Sequence, residues 1–154
     1  MKKTNKGFSL VELIIVIAIM AILAGALAPA LIKYINKSRL STDVQTGQTI
    51  ATGIQTALSN EGAYDDANNQ SVPVEYASFV NAQSTSMKNE LTSVIGDSSK
   101  IKMKSKKDVK GTSFGAQKFY VSMVAETNEI KVYAGDTIAD HMVYPNVGDN
   151  MTSK

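Results

Sequence analysis

Apolar positions divide the chain into three stretches. From Leu13 to Ile32 no residue carries a charge. Roughly twenty such residues, at about 1.5 Å rise each, match a bilayer core of about 30 Å. Beyond Pro29 the pattern changes: Lys33, Lys37 and Arg39 open a polar face, while Leu31, Ile35, Leu40, Val44, Ile50, Ala51, Ile54, Ala57 and Leu58 supply apolar positions. From Leu40 the steps to Val44, Gly47, Ala51, Ile54 and Leu58 alternate between four and three, one stripe of an amphipathic helix. The spacing predicts one helix from Phe8 to Asn60 with Gly62 as its stop, roughly 80 Å long and far above the globular mean. Its apolar half (8–32) needs lipid or other helices around it. Its amphipathic half (33–60) can cover a sheet of the same chain.

The third stretch, 61–154, forms a globular head. Residues 62–74 have no period and close on Pro73, which predicts a variable loop. Segments 74–82 and 87–95 are expected as short helices, the second ended by Gly96. The alternation Lys100-Ile101-Lys102-Met103-Lys104 predicts a strand, and segments 118–125 and 129–134, rich in β-branched and aromatic residues, predict a hairpin. The expected fold class is α+β: a ladle in which a small antiparallel sheet packs on the Leu40–Leu58 stripe of the long helix.

Gly47 lies on that stripe, where a missing side chain lets a strand approach closely. Pro29 removes a backbone donor and crowds the carbonyl of Gly25, a flexible residue itself. Two outcomes stay open: a mild kink in a continuous helix, or a helix break at Gly25–Pro29 when helices pack in an assembly.

The start of the chain sharpens the picture. Lys2, Lys3 and Lys6 precede Gly7-Phe8-Ser9-Leu10-Val11-Glu12-Leu13. Positive residues stay in the cytoplasm, so the amino terminus is inside and the head is exported. Glu12 stands at the mouth of the apolar run, where a carboxylate costs up to about 3 kcal/mol at a helix centre and less near an end. An ordinary secretory signal cut after Ala26-Leu27-Ala28 competes with this reading. It leaves Glu12 inside the apolar region without a role and places rigid Pro29 just past the scissile bond.

The stretch Lys6-Gly7-Phe8-Ser9-Leu10-Val11-Glu12-Leu13 resembles the class III leader and helix start of type IV pilins. Pro29 stands where that family usually has a helix-breaking proline. The resemblance implies a leader (1–7) cut between Gly7 and Phe8 by a prepilin peptidase, N-methylation of Phe8, and Glu12 as an assembly carboxylate. It also implies a single-pass cytoplasmic-membrane precursor that an inner-membrane assembly platform draws into a homopolymeric surface filament for adhesion and motility. A pseudopilin of a type II secretion or competence DNA-uptake system fits the same motif. A monomeric membrane-anchored adhesin or DNA receptor is a third reading of a different class.

Two roles stand open for Glu12. Ser9 and Glu12 spell an S-x-x-E capping box, with negative charge at the positive helix end. In a filament, Glu12 would instead pair with the Phe8 amine of the next subunit, where removing one partner leaves the other unpaired at about 3–5 kcal/mol.

Composition narrows the remainder. With 154 residues and no cysteine, the head has a thin core and no disulfide, thiolate metal site or thiol catalysis to draw on. A net charge of +2 does not by itself mark a nucleic-acid-binding fold. Lys100, Lys102, Lys104, Lys106, Lys107 and Lys110 form the one basic cluster of the head. On an edge strand they would block aggregation; repeated along a fibre they could hold DNA or anionic cell-surface polymers. Asp65 and Asp66 lack a calcium-loop pattern, so no metal and no cofactor is expected. His141 is the sole histidine, and no P-loop, dinucleotide fingerprint or nucleophile elbow is present, so no enzyme is expected.

Overall fold

The computed structural model describes residues 7–152; the lysines of the expected leader, Lys2, Lys3 and Lys6, lie outside them. Two compact units divide at Ile35/Asn36. The first is helical from Leu10 onward and belongs to α1 (Leu10–Leu58). Its large apolar side chains are exposed on every side of the helix, from Leu10 to Ile32. A helix apolar all round is stable only among lipid or other apolar helices.

The second unit has its own core. The rest of α1 contributes Leu40, Ile50, Ala51, Ile54 and Ala57, close to the stripe read from the sequence. Thr46, Thr49, Thr56 and Ser59 return their hydroxyls to carbonyls four residues back, which lets a Thr-rich helix satisfy these side chains locally. The helix ends at Leu58, short of Asn60, because Asn60 caps a new short helix, α2 (Glu61–Asp65), accepting the Ala63 N–H. Gly62 lies inside α2 and stops nothing.

Strand β1 (Gln70–Glu75) follows, then α3 (Tyr76–Ala82) and α4 (Thr85–Ile95). Of the expected loop at 62–74, residues 62–65 belong to α2 and 70–74 to β1, and the helix expected from Val74 starts at Tyr76. Proline favours extended backbone before it, and Pro73 sits in an edge strand at a register shift, where its missing donor is tolerated. Ser84 caps α4 by accepting the Met87 N–H, and Gly96, at φ 91°, ends it as expected.

Strands β2 (Phe119–Val124) and β3 (Glu129–Ala134) form the expected hairpin, paired from Phe119–Ala134 to Val124–Glu129. Asn128 turns the chain at φ 51°. Strand β4 (Met142–Tyr144) completes an antiparallel sheet in the order β1-β2-β3-β4. Phe119, Val121, Met123, Val132 and Val143 are buried between this sheet and the helices. The fold is α+β, a long N-terminal helix packed on an antiparallel sheet.

Gly47 meets that sheet directly. A Cβ there would stand 3.1 Å from Val143 Cβ and closer still to Val143 Cγ2. The glycine is a packing requirement of the α1–β4 contact.

The strand expected at Lys100–Lys104 does not form. A 3-10 turn, Ser98–Lys100, is capped by Asp97, and the chain then runs irregularly, tied to the approach of β2 by the Met103 N–H on the Gln117 carbonyl. The alternation was real, since Met103 is buried and its lysine neighbours are exposed. Its hydrogen bonds go elsewhere. The Lys104 and Ser105 N–H groups donate to Asp43 on α1 at 2.7 and 2.8 Å. Six lysines on an irregular segment cannot act as an edge-strand guard.

Candidate functional site

Helix α1 begins just past Gly7 and Phe8, both exposed, with the Ser9 carbonyl accepting the Leu13 N–H at 3.2 Å. The Glu12 carboxylate reaches back to accept the Ser9 N–H at 2.8 Å. That bond is the return half of a capping box, and it sets negative charge over the first turn. Glu12 is the sole ionisable side chain between Gly7 and Ile32, a stretch otherwise presenting apolar side chains outward. Phe8 lies four residues before it and is 88 % exposed. The helix runs without interruption through Pro29, and the space around Gly25 is open.

The arrangement is an apolar rod with one carboxylate near its tip, able to span a membrane by length and composition. The Ser9–Glu12 hydrogen bond was legible in the S-x-x-E spacing.

In the second unit the lysines divide into two groups. Lys100 pairs with Asp97 at 3.5 Å. Lys102 lines a cavity of about 210 Å³ with Glu75, Tyr76 and Lys118, and Glu75 holds the Lys118 ammonium at 2.7 Å, which raises the Lys118 pKa. Lys104 follows the chain held by Asp43. Lys106, Lys107 and Lys110 belong to a small hairpin closed by the Lys107–Ser113 bridge and the Phe114 N–H on the Lys106 carbonyl. Asn36 reaches this hairpin, its Nδ2 donating to the carbonyls of Lys107 (3.4 Å) and Asp108 (3.5 Å).

Sequence reasoning missed the polar centre of the head. His141 is buried, with Nδ1 2.8 Å from Asp136 Oδ1 and Nε2 3.6 Å from buried Asp108 Oδ2, and it meets the Phe114 ring edge-on. Asp108 Oδ1 accepts the Thr112 N–H at 2.8 Å. These contacts join the lysine hairpin to the turn before β4. Asp66 accepts from the Ser86 hydroxyl, a link between α2 and α4. No group of three or more His, Cys, Asp or Glu able to hold a metal occurs among the described residues.

Comparison with known families places the N-terminal rod. Residues 2–28 match the family described as the prokaryotic N-terminal methylation motif. That motif, with its class III signal, supports a likeness to type IV pilins and pseudopilins. The match and the apolar helix fit a membrane-anchored precursor, and the motif is one of structural subunits. The match ends before Pro29. No solved structure matches the chain.

Proposed function

We propose that this chain is the structural subunit of a type IV pilus. In this reading the precursor sits in the cytoplasmic membrane with its head exported, and prepilin peptidase cuts between Gly7 and Phe8. The Phe8 amine is methylated. An inner-membrane assembly platform then transfers the rod from lipid into a homopolymer displayed at the cell surface, where it serves adhesion and motility. The observation that carries the proposal is the apolar rod exposed all round with Glu12 as its one charge.

The rod explains both stages. Lipid covers it in the precursor, and copies of the same rod cover it in the filament, so neither stage exposes it to water. Among apolar helices packing is weakly directional, and a carboxylate meeting the Phe8 amine of the next subunit would set axial register. The Glu12–Ser9 bond supports a two-stage role, in which the free subunit satisfies its carboxylate locally until the amine replaces the Ser9 N–H. Pro29, held within a continuous helix in the single chain, is where packing in the filament would open the ladder at Gly25–Pro29.

Sequencing the mature amino terminus and imaging cells that overproduce the chain test the proposal. Phe8 at the terminus and long surface fibres support it. Short envelope-bound fibres make the chain a pseudopilin. Pro29 at the terminus, with a soluble secreted head, overturns both.

A further inference from the structure

Within the second unit, the lysine hairpin is tied to Asn36, the residue with which that unit begins. Asn36, whose side chain holds the carbonyls of Lys107 and Asp108, lies four residues past Ile32. Lys37 and Arg39 follow on the same helical turn, both exposed, as are Lys106, Lys107 and Lys110. Lys37 and Val109, the neighbour of Lys110, line one cavity of about 150 Å³. Among the described residues none of these five cations lies within 4.0 Å of a carboxylate. Asp108 is buried and faces inward, and Asn150, whose carbonyl accepts the Val109 N–H, brings two exposed acids near, Asp140 and Asp149. Asp136, which bonds His141 beside Asp108, adds a third acid, so among the described residues five positive charges stand against three acids.

We infer that Lys37, Arg39, Lys106, Lys107 and Lys110 form a docking surface for anionic phospholipid headgroups, holding the head of the membrane-anchored precursor against the outer leaflet. Asn36 stands only four residues along the chain from Ile32, so the surface is tethered close to the apolar run, on the scale of the screening length of about 10 Å at 0.1 M salt. Basic residues at that depth are drawn to anionic headgroups, each strengthening contact by about fivefold. The Asn36 clamp gives the hairpin its place there. A duplex nucleic acid would meet the same charges, but nothing in the proximity to the apolar run favours it. The docked head is released when the rod leaves lipid, so the surface acts before assembly.

The inference rests on the membrane-anchored precursor proposed above, and the experiment separates the two. The full chain is inserted into nanodiscs of phosphatidylcholine alone or with phosphatidylglycerol, and acetylation by a water-soluble reagent is followed at each lysine by mass spectrometry. Lys88 is the internal reference. It lies on α4, two residues from Glu90, which bonds Asn60 just past the end of α1, about 33 Å of helix rise beyond Asn36. The expected result is labelling of Lys37, Lys106, Lys107 and Lys110 slowed about fivefold relative to Lys88 in phosphatidylglycerol discs. The slowing disappears in neutral discs and at about 1 M salt. In Lys107→Gln/Lys110→Gln, both exposed and free to vary without unfolding the head, the protection of Lys37 and Lys106 falls. Equal labelling in both kinds of disc overturns the inference while leaving the anchor intact. Protection by short duplex DNA with none from phosphatidylglycerol overturns it in favour of nucleic acid. A chain that fails to enter neutral discs removes the anchor, and the inference falls with it.

Discussion

The carboxylate of Asp43, on the amphipathic half of α1, accepts the backbone N–H of Ser105 at 2.8 Å, 62 residues away in the chain. It accepts the Ser105 hydroxyl as well, and its other oxygen takes the Lys104 N–H at 2.7 Å. A fully buried carboxylate with three donors substitutes here for a missing strand partner, satisfying backbone that would otherwise be stranded beneath the helix. Asp43→Asn presents an amide where an acceptor is needed and is expected to destabilise the head by about 2–4 kcal/mol. Chemical denaturation of the chain in detergent measures it. A loss under about 0.5 kcal/mol, the scale of a surface change, would remove the anchoring role.

Gly47→Ala sets two effects against each other. Alanine gains about 1 kcal/mol of helix propensity over glycine. The new Cβ, however, runs into the side chain of Val143, which is β-branched and has little freedom to swing aside. The expected net is destabilisation by about 1–3 kcal/mol, as for other overpacked cores. Val143→Ala in the same chain should recover part of the loss. Thermal unfolding of the single and double variants decides it; a stabilised Gly47→Ala would show that β4 yields without cost.

These two residues show which parts of the fold local sequence carries. The α1 helix, its buried stripe and the β2–β3 hairpin follow from periodicity, because each is dictated by neighbours along the chain. Gly47 could be read as a close approach because glycine has few reasons to sit on an apolar stripe. Asp43 could not, since its donors come from a segment whose alternation of lysine and apolar residues reads as a strand. Strand β1 escaped notice for a similar reason. Its extended form depends on pairing with β2 across some fifty residues, as in Val74 against Val121. At the rod, Ser9 and Glu12 form a local pair, which is why their hydrogen bond was legible and the buried His141–Asp108 contact was not.

Glu12→Gln tests the carboxylate of the rod. Glutamine keeps an oxygen for the Ser9 N–H, so the helix start is preserved. The charge that would meet a neighbouring Phe8 amine is gone, leaving that amine unpaired at about 3–5 kcal/mol per subunit. Precursor insertion, leader cleavage and head stability should match the wild type, while sheared filament yield collapses. Wild-type fibre yield in the variant would remove the intersubunit role and leave only the cap.

Tyr76 offers a test with a definite pH direction. It is buried against Phe79, with ring centroids 6.5 Å apart, and its hydroxyl has no hydrogen-bond partner among the described residues. Burial pushes its pKa above the ordinary tyrosine value of 10.0. The folded head thus holds this proton more tightly than the unfolded chain. That contribution is fully present below the unfolded pKa of about 10 and drains away as pH climbs through the folded value. Tyr76→Phe keeps the stacking and removes an unsatisfied hydroxyl, so it should be neutral or stabilising by up to about 1–2 kcal/mol near neutral pH. It should also lessen the fall in stability above about pH 10. Denaturation curves at neutral and alkaline pH measure both, and a clear loss on Tyr76→Phe would mean the hydroxyl has a partner.

Pro29 sits where two demands on the rod conflict. Within the single chain the helix passes through it unbroken, although the ring gives the Gly25 carbonyl no donor and crowds it. An interior proline costs a helix about 3 kcal/mol. In lipid that cost is borne because the alternative, an opened backbone, exposes polar groups to hydrocarbon. In the filament proposed for this chain, side chains and backbone of neighbouring rods would satisfy an opened turn, and the same residue would then be the weakest point of α1 under load. Pro29→Ala restores the donor and should leave the helical content of the membrane-inserted precursor unchanged. Its effect should emerge in the fibre, as slower amide exchange over residues 25–29 and less extension at a given force in an optical trap. Equal extensibility of Pro29→Ala and wild-type fibres would place the compliance elsewhere, in the contacts between heads rather than in the rod.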